Sequence, residues 1–434
     1  MRRLGTSLVV LSALVTLTAL APAAHPTPVR TPGAGTNILV VGIDSRAGLS
    51  KAEKNRLNVG GKGCNCTDVM MLVHLSADER RASVVSIPRD SYVTYPEGRT
   101  PARSGKINGA YALGGATLTI RTVEEVTGLH VDHYLETGFT GFEQAVNALG
   151  GAVICTDKPL KDVNSGLDVP TGVHEVDGRG SLRYVRARHI DNPGDLGRVR
   201  RQQRFTTDLL ARLTGRDAFS GPLAAARTAR TLLKSVHTDP STSMEDLVRI
   251  GWALGRMKPG QREFTTVPIS VFDHRVPGVG STLLWDQTRS DALWSALAAD
   301  KPIRGDARIQ PASGTPARPH KVQARVDDAT AARALRAAGF QVTDTSATAP
   351  AARPAGPPVI RYAPGAEHGA TTLATALPGA RLVRVPGHDA VFDVALGTKP
   401  VTVQKVQYDR NTIEGAPASG QQLGCADGRL QGSL

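Results

Sequence analysis

Apolar residues fall into short continuous runs that alternate with longer amphipathic stretches over most of the chain. The runs Asn37–Asp44, Val69–Leu75 and Ala82–Ile87 are typical of strands covered on both faces of a sheet. The stretches Gly114–Thr127 and Met244–Met257 place apolar residues at helical spacing and predict helices with one buried side. Strands that alternate with helices in this way predict an α/β sandwich.

The pattern also divides the chain into domains. Residues 37–303 form the predicted α/β domain, within which the basic segment Leu49–Gly63 is predicted to be a loop. Residues 304–321, rich in Pro, Gly and Arg, predict a linker. Residues 322–400 alternate short strands and helices and predict a small α+β domain, and the Gly-, Gln- and Ser-rich residues 401–434 predict a disordered tail.

The N-terminus predicts export. Arg2 and Arg3 form a short positive head, and Leu4–Ala24 is uncharged and mostly apolar. This segment fits a signal peptide, but it is also just long enough to span a bilayer, which takes about 20 residues. We expect residues 1–24 to be a signal anchor in the cell membrane, residues 25–36 a tether, and the bulk of the chain extracytoplasmic. Secretion after cleavage is the alternative.

The net charge does not by itself identify the partner. The net charge of +13 and the pI near 9.9 suit a polyanion, an anionic membrane or an acidic wall polymer equally.

The four cysteines are Cys64, Cys66, Cys155 and Cys425, and in an exported protein disulfides are the default. We expect Cys155 to pair with Cys64 or Cys66, with Cys425 pairing with the remaining one or staying free.

Arginine is concentrated between Arg179 and Arg204, where eight arginines stand against two aspartates. A solvated basic face is one explanation. However, Gly197–Leu213 has the pattern of a helix, and one stripe of that helix holds Arg198, Gln202, Phe205 and Leu209. Because the far end of the stripe is apolar, Arg198 and Gln202 are expected to point inward, where a buried arginine needs an anionic partner. The segment therefore predicts the wall of an anion site, most simply for phosphate.

Carboxylates stand at the ends of the predicted strands. Asp44 ends the first strand and Asp68 directly precedes the second, although each also fits a capping or turn position. Ligands of α/β sheets bind at strand ends, and two carboxylates beside arginines suit Mg²⁺ shared with a diphosphate. Further polar residues expected at the same edge are Arg89, Asp90, Lys106 and Asn108. The sequence contains no GxSxG, HExxH or P-loop motif that would indicate another chemistry.

A series of motifs follows along the larger domain: GIDSR (Gly42–Arg46), CTDVMMLVHL (Cys66–Leu75), SIPRDSYV (Ser86–Val93), KINGAYALGG (Lys106–Gly115), DHYLETGFTGF (Asp132–Phe142), ALGGAVICT (Ala148–Thr156), LRYVRARH (Leu182–His189) and DLGRVRRQQ (Asp195–Gln203). In order and wording these motifs resemble the extracytoplasmic LytR-CpsA-Psr family, and the paired cysteines resemble those of actinobacterial members. RYAPG (Arg361–Gly365) makes the small unit similar to the LytR C-terminal domain.

The resemblance implies a fold and an activity. The fold is α/β, with a mixed sheet sandwiched by helices, followed by a small α+β domain. Members of the family move anionic glycopolymers from a polyprenyl diphosphate carrier to peptidoglycan by a Mg²⁺-dependent phosphotransfer, for which Mn²⁺ is an alternative ion. The implied partners are the polyprenyl diphosphate-linked glycopolymer, the peptidoglycan acceptor and the cytoplasmic membrane, and no nucleic acid is expected. Teichoic acid, teichulosonic-type polymer, capsule and arabinogalactan all remain open as the polymer.

The resemblance also implies roles for individual residues. The metal-binding carboxylates of the family fall on Asp44 and Asp68. Its diphosphate-binding residues fall on Arg89, Arg186, Arg188, Arg198 and Gln202. Other motif positions expected at the diphosphate are Arg46, Lys106, Asn108 and Arg201. The residues implied in catalysis are Asp44, Arg89, Asp90 and Arg198, with either Asp90 or Asp44 accepting a proton from the attacking sugar hydroxyl.

Three other functions compete with transfer. A nucleic-acid-binding transcriptional regulator is supported by the basic charge, but the export segment opposes it and no helix-turn-helix or RNA-binding signature is present in the sequence. A non-catalytic wall-binding protein would leave a lipid diphosphate unchanged. A polyprenyl diphosphate pyrophosphatase would cleave the carrier with water as the acceptor.

Overall fold

The computed structural model describes residues 33–61, 63–96, 102–156, 158–188, 190, 195–215, 222–310, 319–344, 356–377, 379–398, 402–404, 417–426 and 429–430. The predicted signal anchor lies outside these residues. Within the described ranges, no helix has both the length and the apolar character needed to cross a membrane.

The elements follow one another as strands and helices in alternation. The strands are β1 (Thr36–Ile43), β2 (Thr67–Leu75), β3 (Ala82–Ser86), β4 (Tyr92–Thr94), β5 (Ser104–Lys106), β6 (His133–Thr137), β7 (Ala152–Thr156), β8 (Leu160–Asp162), β9 (Leu167–Val169), β10 (Gly172–Val176), β11 (His237–Thr238), β12 (Arg262–Thr266), β13 (Ile269–Val276), β14 (Gly280–Trp285), β15 (Gln323–Val326), β16 (Gln341–Asp344), β17 (Val359–Tyr362), β18 (Arg381–Arg384), β19 (Phe392–Ala395), β20 (Ala418–Ser419), β21 (Cys425–Ala426) and β22 (Arg429–Leu430). The helices are α1 (Lys51–Leu57), α2 (Gly109–Thr127), α3 (Phe139–Ala148), α4 (Gly178–Arg186), α5 (Asp195–Gly215), α6 (Pro222–Leu233), α7 (Met244–Arg256), α8 (Gln287–Ala298), α9 (Ala329–Ala337), α10 (Glu367–Ala376) and α11 (Gly420–Leu423).

A seven-stranded sheet in the order β11-β6-β1-β2-β3-β12-β20 forms the centre of the larger domain. It is mixed, because β1 runs antiparallel to β2 and parallel to β6. Successive residues of a strand face opposite sides. Leu72 accordingly packs in the cluster that contains residues of α2 and α8, whereas Val73 packs against a second cluster, which Leu210 of α5 also contacts. The predicted α/β fold with a mixed sheet between helices is confirmed.

The segment Leu49–Gly63 is not the loop that was predicted, because it contains helix α1. Ser50 and Glu53 form a capping box at its start: the Glu53 backbone N–H donates to Ser50 Oγ over 3.2 Å, and the Ser50 N–H donates to Glu53 Oε2 over 2.8 Å. Leu57 is fully buried at the other end of the helix and packs with Phe139 and Leu182. The S-x-x-E signature of this helix start was present in the sequence.

The arginine-rich segment forms two helices rather than one. The helix predicted over Gly197–Leu213 is confirmed as α5, but α4 was missed. Asp177 caps α4 by accepting a hydrogen bond of 2.7 Å from the Gly180 N–H, and Leu182 and Val185 supply its buried side. The arginines are therefore divided between the end of α4 and the start of α5.

The small domain has its own sheet and core. Its five-stranded sheet has the order β16-β15-β19-β17-β18, and Leu335, Ile360, Leu373 and Val394 belong to a core cluster of that domain alone. The predicted linker 304–321 is too long, because Ile309 is buried in the core of the larger domain.

The predicted disordered tail is wrong for residues 417–426 and 429–430. Strand β20 pairs antiparallel with β12 at the edge of the large sheet, and Leu423 packs with Val84 and Phe264. The hydrophobic pattern did not predict this pairing, because strand pairing uses backbone groups and the segment carries few apolar side chains.

The predicted cysteine pairing is also wrong. The structure pairs Cys155 with Cys425, with Cα atoms 6.0 Å apart, and Cys64 with Cys66, with Cα atoms 5.2 Å apart. Both separations lie in the usual range of about 4.4–6.8 Å. The short Cys64–Cys66 loop closes because Asn65 has a φ of 50°, a left-handed conformation that asparagine tolerates.

Candidate active site

An open cavity of about 570 Å³ lies at the edge of the sheet where β1 ends and β2 begins. Because β2 is antiparallel to both β1 and β3, the end of β1, the start of β2 and the end of β3 meet at this edge. The fold thereby gathers seven of the predicted site residues around the cavity: Asp44, Arg46, Asp68, Arg89, Arg186, Arg188 and Arg198. These residues come from segments far apart in sequence, so their proximity is a property of the fold.

Asp44 is held in place by Arg46 and by the disulfide loop. Arg46 Nε and Nη2 donate to the two carboxylate oxygens of Asp44 over 2.8 and 3.0 Å, and Arg46 Nη1 also donates to the Gly60 carbonyl. The backbone N–H of Asp44 donates to the Cys66 carbonyl over 2.9 Å, and the Asn65 N–H donates to the Asp44 carbonyl over 3.2 Å. The orientation of the Asp44 carboxylate is therefore fixed. The residue is buried, with 8% of its surface exposed.

Asp68 is surrounded by three arginines. Arg89 Nη1 donates to Asp68 Oδ1 over 2.6 Å, and the nearest nitrogens of Arg188 and Arg198 lie 3.6 and 3.8 Å from Asp68 Oδ2. Burial alone would raise the pKa of Asp68, but the charges of Arg198, Arg89 and Arg188 together outweigh burial and lower it below its ordinary value. Asp68 is therefore ionised at neutral pH.

Arg198 has the inward orientation that the sequence predicted. The residue is 2% exposed, and its Nη2 donates to the Asp68 carbonyl over 3.2 Å. Further along the same stripe of α5, Phe205 is buried in an apolar cluster and Leu209 packs against that cluster. The apolar part of α5 thus anchors the helix and directs Arg198 at the cavity.

Arg186 is held by groups that carry no negative charge. Its Nη1 donates to the carbonyls of Leu57 and Asn58 at the end of α1, over 3.3 and 3.2 Å. Its guanidinium carbon lies 5.0 Å from the centre of the Phe139 ring, a cation–π arrangement. Burial, followed by the charge of Arg46, lowers the pKa of Arg186. An anion bound at the cavity would reduce this repulsion between neighbouring positive charges.

Arg201 and Gln202 lie behind the cavity. Both are nearly fully buried. Arg201 donates to the Ala187 carbonyl, and Gln202 Nε2 donates to the Val185 carbonyl over 3.1 Å. They thus fix the chain at the end of α4, from which Arg186 and Arg188 reach the cavity. Their predicted contact with the diphosphate stays a prediction.

Asp90, Lys106 and Asn108 form a neighbouring polar group. Lys106 Nζ lies 2.8 Å from Asp90 Oδ1, and Arg89 Nε lies 3.5 Å from Asp90 Oδ2. The Asn108 N–H donates to the Arg89 carbonyl over 3.2 Å. Among the described residues these three lie outside the cavity lining, and their contacts orient Arg89. Their roles at the substrate likewise stay predictions.

The sequence did not point to several residues of the cavity wall. These residues are Asn58, Gly60, Phe139, Asp162, Val163, Asn164 and Ser165. Asp162 Oδ2 accepts a hydrogen bond of 3.0 Å from the Arg188 backbone N–H. The composition of residues 162–165, Asp-Val-Asn-Ser, is typical of a turn. Only the fold shows that this turn lines the cavity.

The charge balance of the cavity determines what it can bind. Among the described residues, five arginines line it against three carboxylates, namely Asp44, Asp68 and Asp162. Guanidinium groups match phosphate oxygens in pairs. The excess of positive charge suits a ligand with more than one negative charge, such as a diphosphate.

Comparisons with known proteins identify what the chain is similar to. The model described as "LytR_cpsA_psr family" matches residues 21–299, and the model described as "LytR cell envelope-related transcriptional attenuator" matches residues 328–399. "Probable cell wall biosynthesis protein LcpB" of Corynebacterium glutamicum is 38% identical over 274 residues, which are 61% of this chain and 61% of that protein. "Polyisoprenyl-teichoic acid--peptidoglycan teichoic acid transferase TagT" of Bacillus subtilis is 35% identical over 180 residues, 40% of this chain and 51% of that protein.

The chain thus spans between 51% and 61% of the length of these two curated relatives. Among solved structures, Bacillus subtilis TagV has a TM-score of 0.50 at 22% identity, over 61% of this chain and 96% of that one. This similarity shows a shared fold.

Proposed function

Because the chain belongs to the LytR-CpsA-Psr family, we propose that it transfers an anionic glycopolymer from a polyprenyl diphosphate carrier to peptidoglycan. The observation that carries this proposal is the cavity in which five arginines surround the carboxylates of Asp44 and Asp68. The names of the relatives agree with it: LcpB is named for cell wall biosynthesis and TagT for transfer of polyisoprenyl-linked teichoic acid to peptidoglycan.

In this proposal the arginines stabilise the negative charge that develops during transfer. A hydroxyl of the acceptor sugar attacks the phosphorus that carries the glycopolymer, and the bridging P–O bond to the carrier breaks. The carrier leaves as a monophosphate, and the polymer becomes joined to the acceptor through a phosphodiester. Negative charge grows on the leaving phosphate, where the guanidinium groups of Arg89, Arg188 and Arg198 stabilise it.

The proton of the attacking hydroxyl needs an acceptor. Of the two carboxylates predicted for this role, Asp44 lines the cavity, whereas Asp90 lies outside the described lining. We therefore propose Asp44 as the base. The paired arginine Arg46 keeps this carboxylate oriented while it accepts the proton.

The residues present suit a divalent ion. Asp44 and Asp68 both line the cavity, and carboxylate oxygens are the ligands that Mg²⁺ prefers. Each carboxylate offers about four lone-pair sites, so the hydrogen bonds from Arg46 and Arg89 still leave positions for a metal. We propose that these two residues hold Mg²⁺, or Mn²⁺, together with phosphate oxygens. Such an ion supplies positive charge to the phosphoryl group during transfer.

The proposed location is the outer face of the cytoplasmic membrane, with residues 1–24 as the anchor. All four cysteines are in disulfides, which form in oxidising compartments. A reporter fused after Leu434 that is active only in the cytoplasm would contradict this location and support the regulator alternative.

Transfer, hydrolysis and binding can be separated in one assay. The full chain is incubated with a labelled polyprenyl diphosphate-linked glycan, peptidoglycan fragments and Mg²⁺. We expect the label to move to the fragments and the movement to stop when EDTA removes the metal. Release of free labelled glycan at the same rate without fragments would identify a pyrophosphatase, and an unchanged donor would identify a wall-binding protein.

A further inference from the structure

A second cavity, of about 430 Å³, lies directly beside the candidate active site. Asp44 and Arg46 line the first cavity, whereas Ser45, between them, lines the second. Phe139 lines both cavities. The two spaces are therefore separated by one stretch of backbone and share one aromatic side chain at their boundary.

A carboxylate outside the proposed metal ligands lies in this second cavity. Glu136 stands near the end of β6, opposite Val41 of the parallel strand β1, so it lies at the same sheet edge as Asp44. The hydroxyl of Tyr134 donates to Glu136 Oε2 over 2.7 Å, and that of Tyr111 donates to Oε1 over 3.2 Å. Burial, and then the charge of Glu136, raises the pKa of Tyr111 to about 12. The Tyr111 hydroxyl therefore remains a donor at neutral pH.

The remaining lining is rich in groups that bind hydroxyls and amides. It includes the residues Ser45, Asn65, Gln144, Lys234, Ser235 and His237. Apolar surface comes from Ile43, Leu49 and Phe139. Carbohydrates present both kinds of surface, since their hydroxyls and amides are polar and their ring C–H groups are apolar. An isoprenoid chain would instead remove the charged groups of Glu136 and Lys234 from water without offering them any hydrogen bond of its own.

The disulfide loop connects the two cavities. Asn65, between Cys64 and Cys66, lines the second cavity, and its backbone N–H donates to the Asp44 carbonyl over 3.2 Å. The size of the cavity is also suitable, because small-molecule sites commonly enclose about 300–1,000 Å³. A group bound here is held next to Asp44 by the same loop that orients Asp44.

On the premise of the proposed transfer reaction, we propose that this second cavity binds the acceptor sugar of peptidoglycan, with Glu136 and Tyr111 hydrogen-bonding its hydroxyl and amide groups. The arrangement gives donor and acceptor separate sites on the two sides of the Asp44–Arg46 segment. The acceptor hydroxyl approaches the phosphorus past Phe139, the residue common to both sites.

The experiment compares three variants of the full chain with the wild type. Glu136→Gln removes the charge and keeps an acceptor oxygen, and Tyr111→Phe removes only a hydroxyl. Glu125→Gln makes the same chemical change at an exposed position of α2 and serves as the control. Transfer is measured while the peptidoglycan fragment and the labelled lipid donor are varied in turn, and the Tm of each variant is recorded.

We expect Glu136→Gln and Tyr111→Phe to raise the KM for the fragment about tenfold, since each weakens a hydrogen bond made to a charged or desolvated partner. The KM for the donor should stay unchanged, the Tm should fall by no more than the loss of one internal hydrogen bond explains, and Glu125→Gln should resemble the wild type. A rise in the donor KM alone would assign the cavity to the carrier and overturn the inference. Unchanged values of both KM in the two cavity variants would overturn it as well.

Direct binding separates this inference from the proposed function. The fragment is titrated into wild type and Glu136→Gln without donor, by calorimetry. If the wild type transfers no polymer, the proposed function fails, yet fragment binding that weakens in Glu136→Gln still supports an acceptor site. Absent or equal binding by the two proteins overturns the inference, even if transfer is observed.

Discussion

At the scale of single residues, the candidate site depends on an arginine that is almost completely buried. Arg198 is 2% exposed and lies within 3.8 Å of the Asp68 carboxylate, which Arg89 and Arg188 also approach. Three guanidinium groups thus approach one carboxylate, and the described lining of the cavity holds five arginines against three carboxylates. On the proposed function, this costly buried guanidinium is expected to contact a phosphate ligand.

Arg198→Ala should reduce activity far more than stability. It removes a guanidinium that faces the charge of the leaving phosphate, and loss of one such donor costs about 10²–10³ in rate. Arg200→Ala, on the same helix but outside the cavity lining among the described residues, should cost much less. The transfer rate and the Tm are measured on both variants. Equal losses of activity would show that the position on the helix does not matter.

The stability contributed by Asp68 should depend on pH. Its pKa is lowered in the folded protein, so its contribution is present above the ordinary carboxyl pKa and is lost as the pH falls through the lower folded value. Asp68→Asn should lower the Tm near neutral pH, because three arginines lose their counter-charge. The difference in Tm between the two proteins should shrink below a pH of about 4. A difference that is constant across the acid range would contradict this reading of the site.

At the scale of elements, the C-terminal segment behaves as a part of the larger domain. Strand β20 extends the large sheet at β12, and Leu423 covers Val84 and Phe264. The segment also lies against α5, where the Cys425 N–H donates to Asp208 Oδ1 over 3.2 Å. Because α5 carries Arg198 at its other end, the segment supports the helix on which the site depends.

The two disulfides should differ in their effect on stability. Cys155 and Cys425 are 270 positions apart, whereas Cys64 and Cys66 are 2 apart, and a cross-link restricts the unfolded chain more when it closes a longer loop. The double change Cys155→Ser and Cys425→Ser should lower the free energy of unfolding by about 2–5 kcal/mol. The double change Cys64→Ser and Cys66→Ser should cost less. Urea unfolding of both variants measures the difference, and the reverse order would contradict the docking of the C-terminal segment.

Asp208, which contacts the C-terminal segment, should make the stability of the protein depend on pH. The direction should be opposite to that expected for Asp68. Burial raises the pKa of Asp208 to about 6, so the folded state binds the proton more tightly than the unfolded state. Stability should therefore increase as the pH falls from about 6 to about 4. Asp208→Asn keeps the acceptor oxygen for the Cys425 N–H and removes the buried charge. We expect it to raise the Tm at pH 7 and to weaken this pH dependence, which thermal melts across that range would test.

At the scale of the whole molecule, the two family matches correspond to two separate cores. The small domain packs its own cluster around Leu335 and Leu373, yet the chain returns to the larger domain after it. The larger domain is therefore discontinuous in sequence, and residues 417–426 belong to it although neither family match includes them.

Two deletions should separate the small domain from the returning segment. Replacing residues 319–404 with a long Gly/Ser linker removes the small core and keeps β20 and Cys425. We expect the larger domain to keep its Tm in this variant. A chain that stops after Gln310 should melt lower and bind a hydrophobic dye, because Val84 and Phe264 lose their cover. Equal Tm values for the two deletions would show that the returning segment contributes nothing to stability.

The sequence determined those features that depend on neighbours along the chain. Buried strands such as β1 and the inward stripe of α5 follow from hydrophobic periodicity, which arises from the backbone geometry of each element. The motif resemblance identified the family and seven residues that line the cavity. Arginine and carboxylate in that pattern already indicated an anion site.

Tertiary structure decided those features that depend on contacts between distant segments. Cys155 lies beside Cys425 rather than Cys64 because an edge strand formed by Ala418 and Ser419 brings the chain back to the sheet. Arg201 and Gln202 share a helix with Arg198, but their side chains meet the end of α4. Backbone hydrogen bonds at a sheet edge and the direction of a side chain within one helical turn leave little trace in composition, so these could be established only from the fold.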